Sequence, residues 1–322
     1  MLLPVLAAAA VAAASRGPAS ASEDWPCYVQ AKFDRSQIEV VGNVTYGSAF
    51  NKLTKQQQTL TLDAYLPPEP ATAEPPRPAV VLIHGGSFET GNSQSDDEPA
   101  FAYEFAMRGY AVVSINYRLE GTGSGGPGSS LLTPDPAIAA AQDARAAVRF
   151  VRANAQQYHL DPNRIVVGGD SAGAITSLWL GYVEQHDPPG GSVNDPGYSS
   201  NVSCVVAVSG ELGDLAFCQS TSPITHEPHN CAVNGTWDYT SQIGARSPQP
   251  ALALVHGTAD LTVPYIFALK EIQRAAMSRV PHTLVTVPGG GHVPFQQLFA
   301  SKRWMHQLFS FVALSLKAPC PH

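Results

Sequence analysis

Ile165-Val166-Val167-Gly168-Gly169-Asp170-Ser171-Ala172-Gly173-Ala174 is the stretch whose reading decides the fold. A short β-branched run enters a Gly-x-Ser-x-Gly turn, and an Ala/Leu-containing helix from Ala172 to Tyr182 leaves it. The turn is tight enough that side chains at Gly169 and Gly173 would collide, and it forces Ser171 into a strained backbone conformation. The serine is thereby expected at the carboxyl edge of a sheet. A helix amino terminus behind it favours developing negative charge.

Outward from that turn the chain alternates. Leu60 to Leu66 reads as a half-buried strand. Ala79 to Ile83 and Ala111 to Asn116 are short Val/Ile-rich runs of the kind found in parallel strands covered on both faces. Ile138 to Ala155 reads as a helix with Ala140, Ala144, Ala147, Val148 and Val151 on one side and a charged face from Asp143 to Arg152. Asp161-Pro162 is expected to break the chain before the strand Ile165–Gly169. Strands follow at Ser203–Val208, Ala251–His256 and His282–Val287, with helices at Pro264–Met277 and, largely, Val293–Leu316. Such alternation implies right-handed crossovers and an α/β fold, a mostly parallel sheet with helices on both faces. Three stretches break the rhythm: Gly121–Pro136, His186–Ser200 and Glu211–Pro250, the last expected to be a small lid or insert at most.

Three further motifs fall at strand ends. His84-Gly85-Gly86-Ser87-Phe88 follows the strand Ala79–Ile83, and its glycine pair lets backbone N–H groups turn toward a substrate oxygen. His256-Gly257-Thr258-Ala259-Asp260 follows Ala251–Val255, and Gly289-Gly290-Gly291-His292 follows the last strand. Ser171, Asp260 and His292 are therefore expected on loops at one sheet edge, in the chain order Ser, Asp, His. Asp214, after the strand Ser203–Val208, is an alternative acid.

With these motifs in order, the chain resembles the α/β-hydrolase fold esterases. The likeness is to the carboxylesterase and lipase branch with an H-G-G-x-F motif and a G-D-S-A-G elbow, and to dienelactone-hydrolase-like and feruloyl-esterase-like members. It runs from about Leu60 to Leu316 and includes Asn116-Tyr117-Arg118 and Asp161-Pro162-Asn163-Arg164 at positions that look structural. The resemblance implies a serine carboxylesterase with Ser171 as nucleophile, His292 as base and Asp260 as acid. It implies an oxyanion hole from the N–H groups of Gly86, Ser87 and Ala172. Position 87 is more often glycine in that family, so a serine side chain crowds the mouth of the hole. His84 reads as a positioner of its loop. Phe88, Phe217, Trp237 and Tyr239 are candidate pocket walls and equally candidate loop core. The implied substrate is a small-molecule or polysaccharide-linked ester with a short-chain or aromatic acyl group, cleaved without a cofactor. A serine peptidase and a non-catalytic binding protein on the same scaffold are the competing readings.

Composition narrows the partners. The 322 residues are 44% hydrophobic with a formal net charge of −7, and no cluster of Lys and Arg with interleaved aromatics suggests nucleic acid. Met1–Ala14 is an apolar run shorter than the roughly 20 residues of a membrane span. Ala19-Ser20-Ala21 after it is a small-x-small cleavage pattern. Residues 1–21 are thus expected to be a signal peptide, and 22–322 one secreted hydrolase domain. Sequons at Asn43, Asn201 and Asn234 and a load of five cysteines agree with an oxidising, glycosylating compartment. Cys204, in an apolar run, reads as a buried free thiol. Cys218 with Cys231 and Cys27 with Cys320 are the favoured disulfide pairs, though sequence leaves the connectivity open. His226, His229 and Cys231 lie close together, but no fourth ligand is evident and the cysteine has a competing partner, so no metal site is expected.

Overall fold

The computed structural model describes residues 27–69, 74–95, 97–121, 135–183, 195, 197–212, 239–245 and 248–317. Expectations for the leader, Asp214, Phe217, Cys218, His226, His229, Cys231, Asn234, Trp237 and Cys320 lie outside them, as does most of Glu211–Pro250.

Eight strands form one sheet: β1 (Glu39–Asn51), β2 (Gln56–Leu66), β3 (Arg77–Ile83), β4 (Ala111–Ile115), β5 (Leu160–Asp170), β6 (Cys204–Val208), β7 (Ala251–Gly257) and β8 (His282–Val287). Their spatial order is β1-β2-β4-β3-β5-β6-β7-β8. β1 and β2 join antiparallel at one edge, and β4 through β8 run parallel. Six helices intervene: α1 (Glu98–Ala106), α2 (Asp135–Ala153), α3 (Ala172–Tyr182), α4 (Ile266–Met277), α5 (Phe295–Ala300) and α6 (Lys302–Leu316).

The two-residue period of a strand sorts the core. Ala79, Val81 and Ile83 of β3 face one side, with Ala140, Ala144 and Leu178 from α2 and α3 and Ala268 and Ala275 from α4. Val80 and Leu82 face the other, with Phe101 and Phe105 of α1, Phe295 of α5 and Leu308, Phe309 and Val312 of α6. Both sheet faces are therefore covered by helices, as the unbroken apolar runs of the parallel strands require. Every residue of α3 is buried, which explains a helix that is apolar on all sides. Cys204 is buried and free, and burial pushes its thiol up to about 12.

The structure departs from the sequence reading at three places. Asp161-Pro162 does not break the chain before the strand: β5 starts at Leu160 and absorbs these residues in a register irregularity opposite Arg77 and Ala79. The supposed charged face of α2 is largely buried, because Asp143 pairs with Arg118 and Arg145 donates to the Val183 carbonyl at 2.9 Å. β1 and α1 have no counterpart among the expected elements. The stretch Val293–Leu316 is largely helical as expected, in two helices divided at Ser301, whose hydroxyl caps α6 by accepting the Trp304 N–H.

Among the described residues no helix is long and apolar enough to cross a membrane.

Candidate active site

Ser171 stands between β5 and α3 with φ 49° and ψ −118°, a conformation that costs a non-glycine residue on the order of 1–3 kcal/mol. What holds it there is the packing of its flanks. A Cβ at Gly169 or Gly173 would run into the Ile83 carbonyl oxygen, so the turn lies directly on the tip of β3. The Ser171 N–H donates to Val208 O at 2.9 Å, fixing the turn to the end of β6 as well.

The loops after β7 and β8 bring in the other two groups. His292 Nε2 lies 2.9 Å from Ser171 Oγ, and His292 Nδ1 lies 2.9 Å from Asp260 Oδ2 and 3.1 Å from Oδ1. The network assigns the ring proton to Nδ1, leaving Nε2 to accept from the serine hydroxyl. Asp260 also receives the N–H groups of Thr262 at 2.9 Å and Val263 at 2.8 Å. Burial works to raise its pKa, but hydrogen bonds from His256, His292 and Val263 outweigh it and hold the carboxyl well below the usual range. Asp260 is therefore a fixed negative charge behind the imidazole.

The two loops are bound to each other. Thr258 N–H donates to Val287 O at 3.0 Å, Ala259 N–H to Gly290 O at 2.9 Å, and Gly289 N–H to Thr258 Oγ1 at 2.9 Å. Gly257 has no side chain because the Gly290 and Gly291 carbonyls occupy that space. Val293, next to the histidine, donates its N–H to Ser209 Oγ at 3.0 Å.

The segment after β3 forms the opposite wall. Gly86, Ser87 and Phe88 have consecutive positive φ angles of 105°, 56° and 63°, an unusual run that turns this backbone over the strand tip. Gly86 and Ser87 line, with Ser171 and His292, a cleft of about 700 Å³. Gly85 N–H donates to Asp170 Oδ1 at 3.2 Å. Asn116 accepts the Ser93 N–H at 2.8 Å, and Asp63 accepts the Ser93 hydroxyl at 2.6 Å, so the far end of the loop is also clamped. His84 lies beneath it, its Nδ1 2.7 Å from Gly85 O and its ring stacked on Tyr117 at 4.3 Å. Ala172 is the buried first residue of α3. Phe88 is 1% exposed and packs on the edge of Tyr117 rather than lining the cleft. Among the described residues no cluster of His, Cys, Asp and Glu is placed to hold a metal ion.

Residues 62–270 match the BD-FAE family model. The chain belongs to the BD-FAE family. That match contains Ser171 and Asp260, whereas His292 lies beyond its end and rests on the geometry alone. Among curated proteins, Carboxylesterase 3B of Mus musculus is 37% identical over 126 residues, 38% of this chain and 21% of that protein. Carboxylesterase NlhH of Mycobacterium tuberculosis is 37% identical over 101 residues, 31% of this chain and 27% of that protein. The chain thus spans roughly a quarter of the length of these relatives. A solved structure described as a truncated form of a carbohydrate esterase from gut microbiota shares the fold at TM-score 0.59. It is 22% identical and covers 90% of this chain and 100% of that one.

Sequence reasoning did not find Ser209 or the second role of the His256 motif. His256 Nε2 sits 2.7 Å from Val263 O and 3.4 Å from Asp260 Oδ2, supporting the acid loop from below. Its place four residues before Asp260 was a usable signal. Ser209 carried none, since its role depends on β6 neighbouring β7 in space.

Proposed function

We propose that the chain is a serine carboxylic-ester hydrolase working through an acyl-enzyme on soluble short-chain or aromatic acyl esters. One observation carries the reading: an unbroken hydrogen-bond path from Ser171 Oγ through His292 to the buried Asp260 carboxylate. Membership of the BD-FAE family and partial likeness to carboxylesterases support it.

In this reading His292 Nε2 takes the Ser171 proton as the oxygen attacks the ester carbonyl. Asp260 holds the ring in the productive tautomer and stabilises the imidazolium. The tetrahedral oxyanion is received by the N–H groups of Gly86, Ser87 and Ala172, aided by the amino terminus of α3. Collapse expels the alcohol with the proton from His292, and water then repeats the cycle on the acyl-serine. The exposed Ser87 side chain narrows the entry beside the hole, which favours small or flat acyl groups. Residues 22–322 are read as the working hydrolase domain, with 211–250 as a small lid or insert. Export through the 1–21 leader, glycosylation at the exposed Asn43 and Asn201 and the two disulfide pairs belong to the same proposal.

Ser171→Ala is the test. It is expected to lower turnover of a short p-nitrophenyl ester by about 10⁶-fold and to abolish labelling by a fluorophosphonate. Undiminished turnover in a folded Ser171→Ala protein removes the proposal. Faster anilide than ester cleavage by the wild type would move it to a peptidase.

A further inference from the structure

Beneath the active-site turn lies a pair of carboxyl groups that the mechanism above does not use. Glu98, at the start of α1, is 2% exposed. Its Oε1 lies 3.2 Å from the Ser114 hydroxyl of β4, and its Oε2 is buried without a donor directed at it. The group in side-chain contact with Glu98 is Asp170, the residue immediately before Ser171. Two acceptor-only carboxylates in contact, one of them buried and the other at the base of the cleft, repel each other. A proton on one of them turns the repulsion into a charge-assisted O–H···O hydrogen bond. Burial and the Asp170 charge both push the Glu98 carboxyl well above its ordinary range, against a smaller opposing contribution from Ser114.

The position of the pair gives the proton a task. In the sheet β3 lies between β4 and β5, so Glu98, held to β4 by Ser114 and touching Asp170 on β5, crosses under the tip of β3. That tip carries Gly85, whose N–H donates to Asp170 Oδ1 at 3.2 Å. A side chain at Gly85 would strike the Asp170 carboxylate. Asp170 is thus the hub that fixes the loop bearing Gly86 and Ser87 relative to the turn bearing Ser171.

We propose that Glu98 is a positioning residue, holding a proton that it donates to Asp170 and so locking the Gly85–Ser87 loop and Ser171 in working register. The proposal rests on the reading of Ser171 as nucleophile. Two tyrosines facing the pair, Tyr117 and Tyr65, stay neutral as the pH rises. Tyr117, whose hydroxyl donates to His84 O at 3.1 Å, has its ionisation raised first by burial and then by Asp170 and Glu98. Tyr65 on β2 is raised by burial, and Glu98 adds to the shift. Ser114, which faces Glu98 from β4, carries no charge.

The experiment compares Glu98→Gln, which keeps a neutral donor for Asp170, with Glu98→Leu, which has none. The leucine variant is expected to lose about 10²-fold in kcat/KM, the scale of a displaced catalytic group, mainly through kcat. The glutamine variant is expected to recover most of that loss and to lack the alkaline fall in rate that follows Glu98 deprotonation in the wild type. Infrared difference spectra of wild type against Glu98→Gln are expected to show one protonated-carboxyl band lost. That readout needs no turnover and survives if the leucine variant fails to fold. A glutamine variant as impaired as the leucine one, or a spectrum with no such band removed, overturns the proposal. Failure of the nucleophile reading would show separately, as activity in Ser171→Ala.

Discussion

The backbone N–H of Val293 and the hydroxyl of Ser209 meet at 3.0 Å, joining the end of β6 to the loop that presents His292. Both residues have positive φ, 53° in each case, and Ser209 is fully buried. The imidazole is thus aimed from two sides, by Asp260 on one loop and by Ser209 through the backbone on another. Ser209→Ala should leave substrate affinity nearly unchanged and lower kcat about tenfold, the equivalent of one hydrogen bond worth roughly 1.4 kcal/mol. Steady-state kinetics on a short p-nitrophenyl ester measures it, and a purely structural role would appear as a lowered melting temperature with kcat intact.

Asp260 gives a pH signature. Its carboxyl is held well below the ordinary range in the folded chain, so the unfolded state binds more protons as acid is added. The stabilisation is complete above the unfolded value of about 3.9 and is lost as pH falls through the native value. Melting temperatures between about pH 2 and 6 should fall less steeply in Asp260→Asn than in the wild type. The same substitution should reduce kcat by about 10⁴ by releasing the imidazole tautomer.

Glu271 should act in the opposite sense. It is fully buried in α4, accepts the Leu212 N–H, and burial raises its carboxyl to about 8. The native state therefore holds a proton that the unfolded state releases above about 4.3. Stability from this group declines as pH rises from that value to about 8 and is level beyond it. Glu271→Gln should remove that slope, as denaturant titrations at pH 5 and 8 would show.

The buried Arg118–Asp143 pair is a structural risk point. Arg118 Nη2 lies 2.9 Å from Asp143 Oδ1, and its Nη1 donates to Phe50 O at 2.9 Å, fastening β1 to α2. Asp143→Ala removes the nearer of two carboxylates at the buried guanidinium and leaves Glu120, whose Oε1 is 3.8 Å from Arg118 Nη1, a loss of about 3 kcal/mol, the low end for a broken buried pair. Urea unfolding should report a midpoint shift of that size, with activity per folded molecule preserved.

How far the sequence spoke depended on whether a residue's role was local. α3 and β8 have the expected limits because a Gly-bounded turn and a Val/Thr alternation specify them within their own windows. β1 was missed because Gly42 and Gly47 interrupt its alternation at two register shifts, and an edge strand with much exposed surface needs no apolar pattern. α1 was missed because its buried residues, Phe101, Ala102, Phe105 and Ala106, sit behind an acidic, proline-containing start that reads as loop. The burial of Asp143 and Arg145 could not be foreseen either: their partners Arg118 and Val183 are supplied by other elements. At the candidate site, Ser171, Asp260 and His292 were legible from motifs at strand ends. Ser209 and Glu98 were not, because each acts through a contact that exists only once the sheet order is set.

The backbone angles of Ser171 carry a last implication. A residue held at φ 49° and ψ −118° occupies a place that thermodynamics alone would award to glycine. Any lineage relieved of selection for chemistry here could gain folding robustness by one substitution at the reactive position. Durability and reactivity thus compete at a single codon.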